Sequence, residues 1–382
     1  MRRIKKIKEV LINISVASLT ILIFLILFEI SLAIFMPMGN PLWAYDQNIG
    51  IKMMKNKCSR YISPEYNVEI CGNNLGFRDV DHSIAKPEGT FRILLLGDSF
   101  IAAREVELNK TFARLLDHKL NEISSKKIEV INMGIGGQGT GTQLLTLRHY
   151  GAKLQPDLVI LALFLENDIA NNYAPLEDRN YVPTYDLDKN GELIYVPFKP
   201  APIISNPITN FISQNLFHNT FSFGGKIYRV IGRKIFWKDD LPSHFYTYLE
   251  DMPEDFKRAW EIEDKLVGEL KKETEKINAK LFVFTLYSRE QVTNFKFFKE
   301  AGYTSTVENF DREFPMRKIT PMLKEYSIDY IHLYPIVVNM SLKKPEELFF
   351  HYDAHWSEKG HNLSTNLIFD ALLKNDLIPV ST

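Results

Sequence analysis

The feature that most constrains this chain of 382 residues is a series of short apolar runs, each followed by polar or glycine-rich residues. The first run, Phe91–Leu96, stops abruptly at Gly97-Asp98-Ser99. Runs of this length are typical of strands buried on both faces of a parallel sheet. Because they alternate with helical patterns, the sequence predicts an α/β fold with a doubly wound parallel sheet. The later strands are predicted at 128–133, 158–164, 280–286 and 328–333.

Ser99 occupies a favourable position for chemistry at the end of the first run. Gly97 permits a sharp turn there, and Asp98 is a good cap for a following helix. Ser99 is therefore expected at the carboxyl end of a strand and beside a helix N-terminus, where open α/β sheets bind ligands. Unpaired backbone N–H groups at such a place stabilise an oxyanion. These residues alone are equally consistent with a plain helix cap.

Helical periodicity separates the predicted strands. One stretch interrupts the alternation, at 173–250, and we interpret it as an insertion after the third strand. Within it, Asn190-Gly191 predicts the turn of a hairpin over Tyr185–Tyr195. An aromatic-rich part, 211–237, is expected to form short helices. The regular helices are predicted at 111–122, 142–151, 254–278, 312–326 and 359–373.

The N-terminus predicts a membrane anchor. A basic segment, residues 1–9, precedes an almost wholly apolar segment, residues 10–36, which is long enough to span a bilayer. The excess of positive charge places residues 1–9 in the cytoplasm, so an uncleaved signal anchor would leave the rest outside. Residues 37–90 are expected to be an irregular extracytoplasmic linker docked on a domain that covers 91–376.

Charge and cysteine content narrow the classes of partner. Lys plus Arg (46) nearly equal Asp plus Glu (47), so no overall field favours nucleic acid. The two cysteines, Cys58 and Cys71, lie in the segment expected outside the membrane. In that compartment a bridge between them is favoured, and it would close a short loop worth about 3 kcal/mol. Two free thiols are the alternative.

A serine nucleophile needs a base and a carboxylate that orients it. Asp353 and His355 lie two positions apart in a polar loop before the last helix, so one loop could present imidazole to Ser99 and carboxylate to the imidazole. His351 and His361 are the competing candidates, for which structural roles are expected. A metal site built from the three histidines fits no standard zinc spacing, so no metal is predicted.

Two other predicted strand ends carry candidates for oxyanion donors. The second strand leads into a glycine-rich stretch that contains Gly137, and the third leads to Asn167. A glycine lets a backbone N–H approach a substrate closely, and an asparagine amide donates without titrating. We therefore expect Gly137 and Asn167 to flank Ser99.

The same glycines also match a dinucleotide fingerprint, G-x-G-x-x-G, at Gly134, Gly136 and Gly139. Three observations oppose this interpretation. The motif does not follow the first strand, its domain is expected outside the membrane, and no acidic residue lies cleanly about 20 positions further on. The sequence therefore predicts no nucleotide cofactor.

Taken in order, Gly97-Asp98-Ser99-Phe100, Gly137, Asn167 and Asp353-x-His355 resemble the four sequence blocks of the SGNH (GDSL-like) hydrolase superfamily. The resemblance covers about 91–373 without the insertion. It implies a flavodoxin-like fold, Ser99 as nucleophile, His355 as its base, and an oxyanion hole formed by Ser99, Gly137 and Asn167. The block at Asn167 departs from the usual Gly-x-Asn-Asp because Glu166 precedes the asparagine.

The last block also departs from the family pattern, since Asp353 is two rather than three residues before His355. This Asp-x-His-Trp form is similar to that of exported SGNH proteins related to the alginate O-acetylation enzymes. The resemblance thus implies an esterase or O-acyltransferase that acts on acyl, above all acetyl, esters of a carbohydrate or surface polysaccharide. Two alternatives stay open: a hydrolase of lipids or small esters, and a catalytically silent scaffold in a membrane assembly with a membrane-protein partner.

Overall fold

The computed structural model describes residues 2–35, 42–199, 243–300 and 307–380. The chain divides into two compact units, and the N-terminal helix belongs to the first, while residues 42–199 belong to the second. That helix, α1, covers Arg2–Phe35. Its segment Lys8–Ser31 has a mean hydropathy of 2.7 and is long and apolar enough to cross a membrane, as a signal anchor or a signal peptide would be.

Strands make up a central sheet and three hairpins in the second unit. The bounds of the strands are β1 Trp43–Asp46, β2 Gly50–Met53, β3 Lys57–Ile62, β4 Asn67–Gly72, β5 Thr90–Leu96, β6 Lys127–Asn132, β7 Leu158–Leu163, β8 Thr184–Leu187, β9 Leu193–Val196, β10 Lys280–Thr285 and β11 Asp329–His332. The hairpins pair β1 with β2, β3 with β4, and β8 with β9, all antiparallel.

Five strands form the central sheet in the order β6-β5-β7-β10-β11, and each adjacent pair is parallel. This is the flavodoxin-like order, so the predicted doubly wound parallel sheet is confirmed. All six residues of β7 are buried, as expected of a strand covered on both faces. The chain leaves β5 for β6 on one side and then crosses to β7 on the other. The carboxyl end of β5 is therefore a topological switch point.

Right-handed crossovers in opposite directions place successive helices on opposite faces of the sheet. The helix after β5 packs against β6 and the last helix of the chain, while the helix after β6 packs against the long helix before β10. The remaining helices are α2 Ser99–Ala102, α3 Phe112–Asn121, α4 Thr140–Thr146, α5 Asp168–Asn171, α6 Glu254–Lys276, α7 Arg289–Val292, α8 Lys296–Glu300, α9 Phe314–Glu325, α10 Leu333–Asn339 and α11 Glu358–Lys374.

The segment expected to be an irregular linker instead contains two hairpins, β1–β2 and β3–β4. Their strands are only four to six residues long and mix buried with exposed positions, and no helical period marks this stretch. Cys58 and Cys71 are paired across β3 and β4 and form a disulfide, as predicted. The hairpin predicted in the insertion is confirmed as β8–β9. The short helices expected over 211–237 lie outside the described residues.

Candidate active site

The site is organised at the turn between β5 and α2. Gly97 must be a glycine there, because a Cβ atom would lie 2.5 Å from the Ile101 side chain. The fully buried Asp98 caps α2, since its Oδ1 accepts a hydrogen bond of 3.0 Å from the Phe100 N–H. Burial raises the pKa of Asp98 above its usual range. This turn leaves Ser99 as the first residue of α2, at the switch point of the sheet.

The structure brings Ser99, His355 and Asp353 together. Ser99 Oγ lies 2.7 Å from His355 Nε2, and His355 Nδ1 is hydrogen-bonded to Asp353 Oδ1. The residue between the acid and the histidine, Ala354, has a φ of +67°, which lets both side chains reach the same side of the loop. The Phe100 ring packs 4.9 Å from the imidazole and holds its orientation. The arrangement is that of a nucleophile, a base and an orienting acid.

The charges around His355 and Asp353 shift the pKa of each residue. Burial alone would lower the pKa of His355, but the negative charges of Glu105, Asp353 and Asp98 outweigh it and raise the value to about 9. Burial alone would likewise raise the pKa of Asp353, but the hydrogen bond and charge of His355 lower it to about 2. Asp353 is therefore ionised at neutral pH, and His355 takes up a proton readily.

Gly137 and Asn167 lie in the loops on either side of the serine. The Asn167 Nδ2 donates to Asp98 Oδ2 at 3.3 Å, next to the nucleophile. A Cβ atom on Gly136, the neighbour of Gly137, would lie 3.4 Å from the Ser99 Cβ. Gly137 has a φ of +73°, which favours glycine. Both candidate donors thus belong to loops that contact the Ser99 turn.

Arg179 braces these two loops. Its guanidinium donates to the Gly137 carbonyl and is paired with the Glu177 carboxylate at 2.6 Å. The same carboxylate accepts a hydrogen bond of 2.8 Å from Asn171, which lies on α5 shortly after Asn167. The chain Asn171–Glu177–Arg179–Gly137 therefore fixes the spacing between the loop that carries Asn167 and the glycine loop.

His361 and His351, the other candidates for the base, are not hydrogen-bonded to Ser99 in the structure. His361 is buried in α11 and accepts a hydrogen bond of 3.3 Å from the Phe112 N–H at Nδ1, while burial lowers its pKa to about 3. His351 is exposed.

Close packing accounts for two glycines of the apparent dinucleotide motif. A Cβ atom on Gly134 would lie 2.7 Å from the Ala102 nitrogen, and one on Gly139 would lie 2.5 Å from the Asp168 carbonyl.

Sequence reasoning missed two residues that hold the catalytic loop. Tyr66 donates a hydrogen bond of 2.7 Å to Asp353 Oδ2. Its neighbour Glu65 accepts from the backbone N–H groups of Tyr352 and Asp353, at 2.8 and 3.2 Å. Both residues lie in the turn between β3 and β4, far from the loop in sequence. Without a motif around them, nothing in the sequence marked them.

A cavity of about 570 Å³ opens beside the catalytic loop, and Glu105 and Tyr66 contribute to its wall. Beside the apolar surface of Val68, Val106 and Phe350, half of its lining residues carry charged side chains. They are Glu65, Glu105, Glu107, Glu347, Glu358 and Lys359. A cavity with this lining offers a ligand both polar groups and apolar surface.

No known protein family's sequence profile matches this chain, and no curated protein matches it. Solved structures with a similar fold include a lipase/acylhydrolase from Enterococcus faecalis, 12% identical over 76% of this chain and 99% of that one, with a TM-score of 0.39. They also include esterase EstA from Pseudoalteromonas sp., which is 14% identical over 74% of this chain and 97% of that one, with a TM-score of 0.38. A third is an acetyl-xylooligosaccharide esterase from Geobacillus, 12% identical over 74% of this chain and 94% of that one, with a TM-score of 0.40. Similarity at this level does not assign an activity to this chain.

Proposed function

We propose that this chain is a serine esterase or O-acyltransferase of the SGNH type, anchored by residues 10–36 with its catalytic domain outside the membrane. The observation that carries the proposal is the distance of 2.7 Å between Ser99 Oγ and His355 Nε2, with Asp353 bonded to the other ring nitrogen. A serine in this setting can lose its proton to the imidazole as it attacks a carbonyl carbon.

In the first half-reaction, Ser99 Oγ bonds to the ester carbonyl carbon while its proton passes to His355 Nε2. The tetrahedral oxyanion accepts hydrogen bonds from the backbone N–H groups of Ser99 and Gly137 and from Asn167 Nδ2. Collapse of this intermediate breaks the bond to the alcohol, which leaves with the proton held on Nε2. Asp353 stabilises the imidazolium throughout these steps.

In the second half-reaction, an acceptor hydroxyl gives its proton to Nε2 as its oxygen bonds to the acyl carbon. The bond between that carbon and Ser99 Oγ then breaks, and Oγ takes the proton back from Nε2. Water as acceptor makes the protein an esterase, whereas a sugar hydroxyl makes it an O-acyltransferase. The charged side chains that line the cavity beside the catalytic loop support a carbohydrate as ligand, with a small acyl group such as acetyl on the serine. An anchored enzyme outside the membrane would meet such esters on a surface polysaccharide.

The test uses the full-length protein purified in detergent and exposed briefly to an activated acetyl ester. We expect a mass increase of one acetyl group on Ser99, or release of acetate, at a rate at least about 10⁴ times that of Ser99→Ala. Added glycans then show whether sugar or water receives the group. Absence of any Ser99-dependent adduct or turnover with acetylated glycans and long-chain esters alike would contradict the proposal and favour the silent scaffold.

A further inference from the structure

A second carboxylate, besides that of Asp353, faces the imidazole of His355. Glu105 lies three residues after α2, and only 2% of its surface is exposed. Its Oε1 is 3.9 Å from His355 Nδ1, the nitrogen that is hydrogen-bonded to Asp353. Neither carboxylate oxygen of Glu105 has a hydrogen-bond partner within the described parts of the chain. An acid buried in this way is costly unless it meets positive charge.

Arg78 supplies part of that charge. It is 1% exposed and donates to the carbonyls of Ala102, Ala103 and Val106, so it encloses the turn that carries Glu105. The charge of Glu105 counteracts the effect of burial on Arg78, whose pKa is lowered only to about 10. Arg78 therefore stays protonated at neutral pH. The charge of Glu105 thus acts on two groups that carry positive charge, the Arg78 guanidinium and the protonated His355 imidazole.

We propose that Glu105 is a positioning residue that stabilises the imidazolium of His355 when Ser99 gives up its proton. This inference rests on the proposed serine mechanism. Asp353 orients the ring through a hydrogen bond, while Glu105 acts through its charge at 3.9 Å from the same nitrogen. Because Glu105 is almost fully buried, little water screens this interaction.

Other charged and titratable groups face the ring from the elements around it. Asp98 in the Ser99 turn favours the imidazolium together with Glu105 and Asp353. His361 on α11 also lies within electrostatic reach of His355, but it is neutral at the pH of assay because its pKa is about 3. Arg104 lies close enough to lower the pKa of Asp353, and Tyr66 contacts the far oxygen of that acid. The net effect on the ring is set by the three acids.

A metal ion is the competing explanation, since ligand atoms of Glu105, Asp353 and His355 lie within 4.8 Å of one another. A metal on Nδ1 would replace the proton that this nitrogen donates to Asp353, so the two roles exclude each other. The hydrogen bond between His355 and Asp353 favours the electrostatic role. A chelator distinguishes the two in the experiment below.

The experiment compares kcat/KM from pH 5 to 10 for the wild-type protein, Glu105→Gln and Glu88→Gln, with the activated acetyl ester as substrate. In Glu105→Gln, we expect the rising, acidic side of the pH profile of kcat/KM (the acid limb) to move about one pH unit or more to lower pH. The reason is that one of the acids that raise the pKa of His355 is gone. The rate on the plateau should fall about tenfold, since one pKa unit of imidazolium stabilisation is lost. Glu105→Asp should restore part of both effects.

Glu88→Gln is the control, because Glu88 is an exposed glutamate that does not line the cavity. It should leave both the limb and the plateau unchanged. If Glu105→Gln turns over too slowly to assay, an NMR titration of the His355 ring in that variant reports the same shift without turnover. Thermal melting of each variant shows that it is folded.

The inference would be overturned if folded Glu105→Gln showed the wild-type acid limb in the pH profile of kcat/KM and the wild-type pKa in the NMR titration of His355. This holds whatever the variant's rate. Loss of wild-type activity on treatment with EDTA, restored by Zn²⁺ or Mn²⁺, would also overturn it. Failure of the proposed function is distinguishable, because the wild-type protein itself would then show no Ser99-dependent acylation. We expect EDTA to leave the wild-type rate unchanged.

Discussion

Tyr66 and Asp353, which are 287 positions apart in the chain, are joined by a hydrogen bond of 2.7 Å in which the phenol donates to Oδ2. Burial and the adjacent carboxylate raise the pKa of Tyr66 far above its usual range, so the hydroxyl stays protonated. The two oxygens of Asp353 thus serve two partners, His355 at Oδ1 and Tyr66 at Oδ2. The hairpin ahead of the sheet is part of the candidate active site.

Tyr66→Phe should lower kcat/KM about tenfold with little change in KM. The phenol hydrogen bond goes to a charged group, and such a bond contributes about 1.5–3 kcal/mol. Its loss leaves Asp353 free to rotate away from the imidazole. Steady-state kinetics measure the effect, with Tyr352→Phe as control because Tyr352 is 73% exposed in the same loop. An equal loss in both variants would argue against a specific role for Tyr66.

Activity should rise with pH up to about 9. His355 accepts the serine proton only when it is neutral, and its pKa is raised to about 9 by the surrounding acids. Below that value the imidazolium predominates and kcat/KM falls about tenfold per pH unit. A pH profile of kcat/KM from 5 to 10 measures the limb in the free enzyme. A plateau already reached at pH 7 would contradict this assignment.

Asn167→Ala should lower kcat by about 10²–10³, the usual effect of removing one oxyanion donor. The Asn167 side chain makes one hydrogen bond, of 3.3 Å, to Asp98, so the change in melting temperature should be small. Asn339→Ala is the control, because Asn339 is exposed at the end of α10. Near-normal turnover in Asn167→Ala would remove this residue from the oxyanion hole.

Arg179→Met and Glu177→Gln should each lower kcat, by roughly tenfold, through the position of Gly137. The two side chains act as one brace, so the double variant should lose little more than either single variant. Kinetics of the three variants form a double-mutant cycle. Additive losses would show that Arg179 and Glu177 act separately rather than on the same loop.

Cys58→Ser should destabilise the β3–β4 hairpin, because the disulfide closes a loop of short span, 13 positions, worth about 3 kcal/mol. Glu65 and Tyr66 lie inside that loop, so kcat should fall along with the melting temperature. Both are measured in the full-length protein, and Cys58→Ser/Cys71→Ser serves as the variant without a free thiol. An unchanged kcat together with a lowered melting temperature would show that the position of Tyr66 does not affect catalysis.

The sheet was predictable because four of its five described strands are short, mostly buried apolar runs. Ser99 was predictable because it follows one of these runs. Gly137, Asn167 and the Asp353–His355 pair follow the same logic of strand ends and a loop before the last helix. The strands of the two early hairpins are only four to six residues long and mix buried with exposed positions, so their formation depends on their partners.

Contacts between segments that are distant in the chain could not be predicted from the sequence for the same reason. Tyr66 reaches Asp353 only once the hairpin has packed against the domain, and Glu105 faces His355 only once α11 has brought the catalytic loop over the Ser99 turn. Local sequence patterns report periodicity and turn chemistry, not which loops meet. A boundary drawn at Phe91 from sequence would therefore divide the site.

The disulfide between Cys58 and Cys71 has a consequence for the timing of activity. It closes the loop that presents Tyr66 to the catalytic acid, and thiols stay reduced in the cytosol. A newly made chain would therefore be incompletely assembled at the point of synthesis and would reach full competence only after oxidation. Under the proposed function, the disulfide would restrict ester chemistry to the oxidising compartment in which it forms.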